Sequence, residues 1–132
     1  MSAIVYHPIG VVRSPIVEPL RPEVIRVVES DLVLEPRFSP AVSALDVGQH
    51  LLVVYHLHGC DPLDERLLQD LFTRRIPCRP NPIGVTLVRV VALREGVITV
   101  MGLDAIDGSP ILDIKPYNPL FDAPPVTPEG ER

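Results

Sequence analysis

Three groups of side chains in this chain combine residue types and spacings that can do chemistry. The first is Arg74-Arg75 followed by Arg79-Pro-Asn-Pro-Ile-Gly84. Pro80 and Pro82 fix their own φ and push Arg79 and Asn81 toward extended backbone, while Gly84 allows a close backbone approach. So stiff a segment holds Arg75, Arg79 and Asn81 ready for an anion, which lowers the ordering cost of binding. The second group is His56-Leu-His-Gly-Cys-Asp61. On a strand His56, His58 and Cys60 point to one face, and they are zinc-ligand types. One strand seldom closes a four-ligand site and no second cluster completes it, so the expectation is core packing plus one ligand-facing histidine, without a metal. The third group is Asp104, Asp107 and Asp113, with Lys115 and Tyr117 following. Such carboxylates orient hydroxyls, hold an amine or accept a proton. Asp107-Gly108 also reads as plain turn chemistry, and Asp113 as a partner for Lys115 across a strand. No Gly-x-Ser-x-Gly elbow and no Gly-rich phosphate or dinucleotide loop is found.

Charge is distributed unevenly around these groups. The 12 basic and 17 acidic residues give a net charge of −5, which argues against a general nucleic-acid coat. Residues 71–94, however, hold five arginines and no acid, so +5 sits there and −10 on the rest. A cationic segment on an acidic body fits a local site for an anionic ligand or an RNA backbone as well as a solvated face of arginines. Eleven of the 12 cations are arginine, the better residue for bidentate carboxylate or phosphate contacts.

The elements that must position these groups are short. With 132 residues the chain is expected to form one domain. Its 16 prolines are spread between apolar runs and so punctuate a fold. Strands are expected over 4–13, 24–28, 32–34, 50–58, 85–93, 97–103 and 111–115, with Glu29-Ser30-Asp31 and Arg94-Glu95-Gly96 as hairpin connections. Ser39-Pro40 starts a short helix over 41–45. Leu63, Leu67, Leu68 and Leu71 give a second over 61–72, passing into a strand near Leu71. The expected class is mainly β, an antiparallel barrel over 1–121 with one or two short helices and a Pro-rich tail over 122–132. Neither a leader at Met1 nor an apolar run near 18 residues is seen, so secretion and membrane spanning are not expected. Cys60 and Cys78 read as two free thiols of a cytosolic protein.

Ile9-Gly-Val-Val-Arg-Ser-Pro15, Arg79-Pro-Asn-Pro-Ile-Gly84 and Leu103-Asp-Ala-Ile-Asp-Gly-Ser-Pro-Ile-Leu-Asp-Ile-Lys-Pro-Tyr117 together resemble the TsaA-like family, whose characterised members include TrmO-type tRNA methyltransferases. The resemblance spans residues 4–121. It implies a β-barrel methyltransferase that uses S-adenosylmethionine without a Rossmann fold, usually as a homodimer in the cytoplasm. In the best-known members the acceptor is N6-threonylcarbamoyladenosine beside the tRNA anticodon, methylated on N6. The implied cofactor contacts are His58, Gly59, Arg75, Val85 and Met101, Gly102, Leu103 and Asp104. Arg75 would clamp the methionine carboxylate. Arg79, Asn81 and Lys115 would meet the substrate, and Asp104, Asp107 or Tyr117 would take its proton.

The sequence departs from the family pattern at Leu20-Arg21-Pro22, which stands where the family has Pro-Arg-Gln, and in a short segment at Cys60–Gln69. It also stops soon after Tyr117, where longer members carry a further domain. Two other readings follow from the residues: a methyltransferase for a small anionic metabolite, and a non-catalytic barrel that binds S-adenosylmethionine or RNA.

Overall fold

In the computed structural model, which describes residues 2–58 and 65–126, six strands close into an antiparallel barrel in the order β1-β2-β5-β4-β3-β6. They are β1 Gly10–Arg13, β2 Glu29–Leu34, β3 His50–His56, β4 Ile83–Arg94, β5 Val97–Met101 and β6 Pro110–Pro116. Alternation explains the closure. Along β3, Leu51, Val53 and Tyr55 are buried while the residues between them are not, and Val88 and Val90 of β4 do the same. With Val12, Leu32, Ile98, Val100 and Ile111 they fill the interior. The expected mainly β barrel is therefore what forms. Among the described residues no helix is long and apolar enough to cross a membrane.

Several expected elements differ, each for a local reason. Residues 24–28 are not a strand. Pro22 opens a single helical turn, α1 Pro22–Ile25, with Glu23 in its first turn and Ile25 as its buried side chain. Glu29-Ser30-Asp31 is not a hairpin turn but the start of β2, where Ser30 faces Val100 and Asp31 faces Thr99. Its polar side chains are satisfied inside the sheet: Ser30 Oγ donates to Ser14 Oγ at 3.0 Å, and Asp31 accepts from Thr99 Oγ1 at 2.7 Å and Arg94 at 3.1 Å.

The short helix after Ser39 is a 3-10 segment, Pro36–Val42. Residues 65–73 are likewise 3-10, kinked at Asp70, and no strand begins near Leu71; residues 61–64 lie outside the described part. A last turn, α2 Pro119–Asp122, is capped by the Asn118 side chain, which accepts from Leu120 N. The hairpin at Glu95-Gly96 forms as expected, with Arg94 opposite Val97. No cysteine among the described residues is free: Cys78 is disulfide-bonded. That corrects the reading of two free thiols, because spacing along a chain does not report distance through space, and cysteine usage ceases to argue for a reducing compartment.

The closed topology places the chemistry. With neighbouring strands antiparallel, β1, β3 and β5 end at one rim of the barrel, where β2, β4 and β6 begin. The connections 14–28, 57–82 and 102–109 all cross that rim. Three hydrogen bonds stitch the first to the third, Ser14 N to Asp107 Oδ1 at 3.0 Å, Asp107 N to Ile16 O at 2.7 Å and Gly102 N to Val28 O at 3.2 Å.

Candidate functional site at the barrel mouth

All three rim connections converge on a cavity of about 570 Å³, lined from the first by Pro19 and Leu20, from the second by residues between Leu57 and Arg79, and from the third by Asp104, Ala105, Ile106 and Ser109. Its floor is set by a register match. Tyr55 of β3 stands opposite Gly84 of β4, and a Cβ built on Gly84 would lie 2.7 Å from the Tyr55 ring. The absent side chain lets the ring lie across β4 toward the third connection. There the Tyr55 hydroxyl donates to Asp104 O at 2.6 Å and shares a hydrogen bond with Thr86 Oγ1 at 2.9 Å. Burial raises the Tyr55 pKa, opposed by the Thr86 hydrogen bond; the nearby Asp104 charge adds to the rise and Arg75 offsets it. Tyr55 thus stays a neutral strut under the cavity.

The electrostatics of the wall rest on few groups. Asp104 is the single carboxylate among the described lining residues, which also include Arg74, Arg75 and Arg79; of these, Arg75 is the one whose charge acts on it. Its residue surface is open toward solvent on one side, yet its carboxyl is crowded enough for burial to raise its pKa; Arg75 works against that rise. Arg75 is held by donation from its guanidinium to Val85 O at 3.1 Å. Arg79 is anchored to the end of the 3-10 segment, donating to Arg74 O at 2.7 Å and to Ile76 O and Leu71 O at 3.4 Å each. The stiffness expected of the Arg-Pro-Asn-Pro loop therefore comes from this arginine as well as from the prolines.

His58 also lines the cavity, and its Nδ1 is buried with no hydrogen-bond partner. A buried imidazole nitrogen left unpaired is costly and calls for a polar partner.

The structure thus brings His58, Arg75, Arg79, Val85 and Asp104 to one cavity. Seven other expected site residues lie elsewhere. Asp107 uses its carboxylate on Ser14 N, with Gly108 at φ +86° completing the turn. Leu103 is fully buried in the core, and Gly102 (φ +95°) turns the chain behind it. Met101 Sδ sits 3.8 Å from the Arg89 guanidinium. Lys115 pairs with Asp113 at 2.9 Å, and this hydrogen bond raises the lysine pKa. Asn81 and Tyr117 are not on the cavity wall. Gly59 lies outside the described residues, as does Cys60 of the His56–Cys60 group. Among the described residues no cluster of three or more His, Cys, Asp or Glu is placed to hold a metal. Sequence reasoning did not find Tyr55, Gly84 as its counterpart, or Phe72, since each depends on register or on which way a short helical segment turns.

A family model, that of the tRNA-methyltransferase O N-terminal domain, matches residues 12–123. The chain belongs to this family. A probable S-adenosyl-L-methionine-binding protein of Pyrococcus abyssi is 33% identical over 130 residues, which are 90% of this chain and 71% of that protein. The tRNA (adenine(37)-N6)-methyltransferase of Escherichia coli is 34% identical over 146 residues, 95% of this chain and 62% of the enzyme. A crystal structure of TrmO matches with a TM-score of 0.81 at 32% identity, over 98% of this chain. This chain spans 62% of the length of that solved chain.

Proposed function

We propose that the barrel mouth binds S-adenosylmethionine and that the protein methylates N6 of an adenosine in tRNA, with threonylcarbamoyladenosine beside the anticodon as the acceptor. The observation that carries this reading is one carboxylate, Asp104, sharing a partly apolar cavity wall with Arg75, whose charge acts on it, and with Arg74 and Arg79. The residues fit the cofactor. The unpaired Nδ1 of His58 supplies a polar contact that the protein alone does not satisfy. Arg75 is the group to hold a carboxylate, and Asp104 to hold ribose hydroxyls or offset a cationic sulfur. When bound, the cofactor supplies an electrophilic methyl carbon and leaves as S-adenosylhomocysteine.

The acceptor nitrogen must lose a proton as it is methylated. Of the three residues expected to receive it, Asp107 is committed to a backbone N–H and Tyr117 lies off the wall, which favours Asp104. Its raised pKa makes it a stronger base than an ordinary aspartate, and proton transfer of this kind contributes about 10²–10⁴-fold. Most of the remaining rate comes from holding donor and acceptor in line.

The protein further reads as a cytoplasmic homodimer. Ile83, Val85 and Leu87 of β4 are 43%, 43% and 47% exposed, and on the outer face they stand opposite His56, Val54 and Leu52 of β3. An apolar sheet face of this kind suits a second copy, and Ile83 and Val85 make it continuous with the cavity.

A second reading, a cofactor-binding barrel without a tRNA acceptor, is favoured by the net charge of −5 and by the similarity to the probable S-adenosyl-L-methionine-binding protein of Pyrococcus abyssi. Methyl-labelled cofactor incubated with the protein and bulk tRNA, followed by nucleoside separation, decides between them. Label in an N6-methylated adenosine derivative supports the tRNA reading. Cofactor binding with no label in any nucleoside supports the other.

A further inference from the structure

Phe72 is 90% exposed, while its neighbour Leu71 is 4% exposed and anchors the segment in the protein. An aromatic ring left almost wholly in water usually sits on a loose loop, but this one does not. The backbone on both sides is tied down: Thr73 Oγ1 donates to Asp70 O at 2.7 Å, Arg74 N to Leu71 O at 3.1 Å, and Arg79 to both Leu71 O and Arg74 O. Asp70 and Arg74 pair across the ring's position at 3.4 Å. A braced backbone therefore presents a bare ring at the edge of the cavity that Phe72 helps to line. Three arginines, Arg74, Arg75 and Arg79, line the same cavity, against the carboxylates of Asp70, which pairs with Arg74, and Asp104.

We infer that Phe72 is a stacking platform for an unpaired nucleobase of the RNA acceptor, beside the base that enters the cavity. A planar π-face flanked by guanidinium groups is the surface that single-stranded nucleic acid selects: bases stack on the ring while the phosphates between them meet arginine. An acidic peptide would use the arginines but would have no need of the ring, and an apolar protein surface would use the ring but would desolvate the arginines. The inference rests on the tRNA reading above and adds to it the residue that holds the strand at the mouth. It also accounts for the exposure of a residue that a stable core would have covered.

The chain contains no tryptophan, so a Phe72→Trp variant carries a single tryptophan, at the proposed platform, whose emission is excited selectively over that of the three tyrosines. The expected result is quenching of that emission by tRNA and by an unpaired adenosine-containing oligonucleotide, with no quenching by inorganic polyphosphate at equal phosphate concentration. Steady-state kinetics with bulk tRNA complete the test. Phe72→Ala is expected to raise KM for tRNA roughly 5- to 100-fold, the span of losing one stacked base. Phe72→Tyr should restore it, and in Phe72→Ala the KM for tRNA should rise by a larger factor than the Kd for S-adenosylmethionine. Unchanged tRNA kinetics in Phe72→Ala, or unquenched emission while Phe72→Trp methylates tRNA, overturns the platform and leaves the methyltransferase reading standing. A shift of Phe72→Ala to a smaller sedimenting species also overturns it, assigning the ring to contact between copies. A parent protein that methylates no tRNA removes the underlying reading first.

Discussion

Tyr55 and Gly84 face each other across β3 and β4, and the tyrosine ring occupies the space in which any side chain at Gly84 would stand. From there the phenol hydroxyl reaches Asp104 O at 2.6 Å. One missing Cβ thus links a strand pairing in the barrel wall to the position of the carboxylate in the cavity.

Gly84→Ala should therefore be destabilising. The added methyl would come 2.7 Å from a buried ring that cannot swing away without breaking its hydrogen bonds to Asp104 and Thr86. Overpacking of this kind costs about 1–3 kcal/mol, read as a lower urea midpoint at unchanged slope. A midpoint equal to that of the parent protein would show that the ring is free to move.

Tyr55→Phe keeps the packing and removes only the hydroxyl. Loss of a partly buried hydrogen bond of this type costs about 0.5–1.5 kcal/mol. Because the bond fixes the Asp104 backbone, the variant should also bind S-adenosylmethionine more weakly, while Thr86→Val, which leaves the Asp104 contact in place, should not. Equal affinity in all three proteins would remove Tyr55 from the site's support.

Asp104→Asn tests the carboxylate through pH. Its pKa is raised in the folded protein by burial, so the folded state holds the proton more tightly than the unfolded chain does. This contribution to stability is fully present below the ordinary aspartate value of 3.8 and is lost as pH rises through the higher folded value. The ligand-free Asn variant should accordingly gain thermal stability relative to the parent at neutral pH, and the gain should vanish near pH 3. Methyl transfer should fall in the same variant. A stability difference independent of pH would mean that Asp104 is not desolvated.

The apolar outer face of β4 makes a separate prediction. Leu87→Arg puts a charge on this face, opposite Leu52, and should convert a dimer to a monomer in sedimentation velocity without altering the melting temperature of dilute protein. A parent protein that sediments as a monomer at all concentrations would contradict the proposed pairing.

Much of the barrel was legible because its signals are local. Apolar runs over 50–58 and 85–93 and the Glu95-Gly96 connection each carry their own instruction, and β3, β4 and their neighbours appear within a few residues of it. The errors arose where a distant partner decides. Ser30 and Asp31 look like a turn until Ser14, Thr99 and Arg94 are found to satisfy them from other strands. Val24 and Ile25 are a different case, a local signal misjudged: Pro22, two positions earlier, sets a helical start.

The site divides in the same way. Arg75, Arg79 and Asp104 could be nominated from motifs, since charge and rigidity are visible in the sequence. Tyr55 could not, because an apolar strand gives no hint that one of its residues faces a glycine 29 positions later. Phe72 could not either, since its exposure depends on Leu71 taking the inward position.

The central claim is that the cavity at the barrel mouth binds S-adenosylmethionine through Arg75. Isothermal titration of that cofactor into the parent protein, Arg75→Ala and Arg89→Ala tests it most directly. Arg75 is on the cavity wall, whereas Arg89 is on the outer face of β4 against Met101. The account predicts saturable binding to the parent, about 10- to 100-fold weaker binding to Arg75→Ala, as expected for a lost charge-assisted contact, and parent-like binding to Arg89→Ala. Equal weakening in the two variants, or no heat of binding to the parent at high micromolar cofactor, would contradict it.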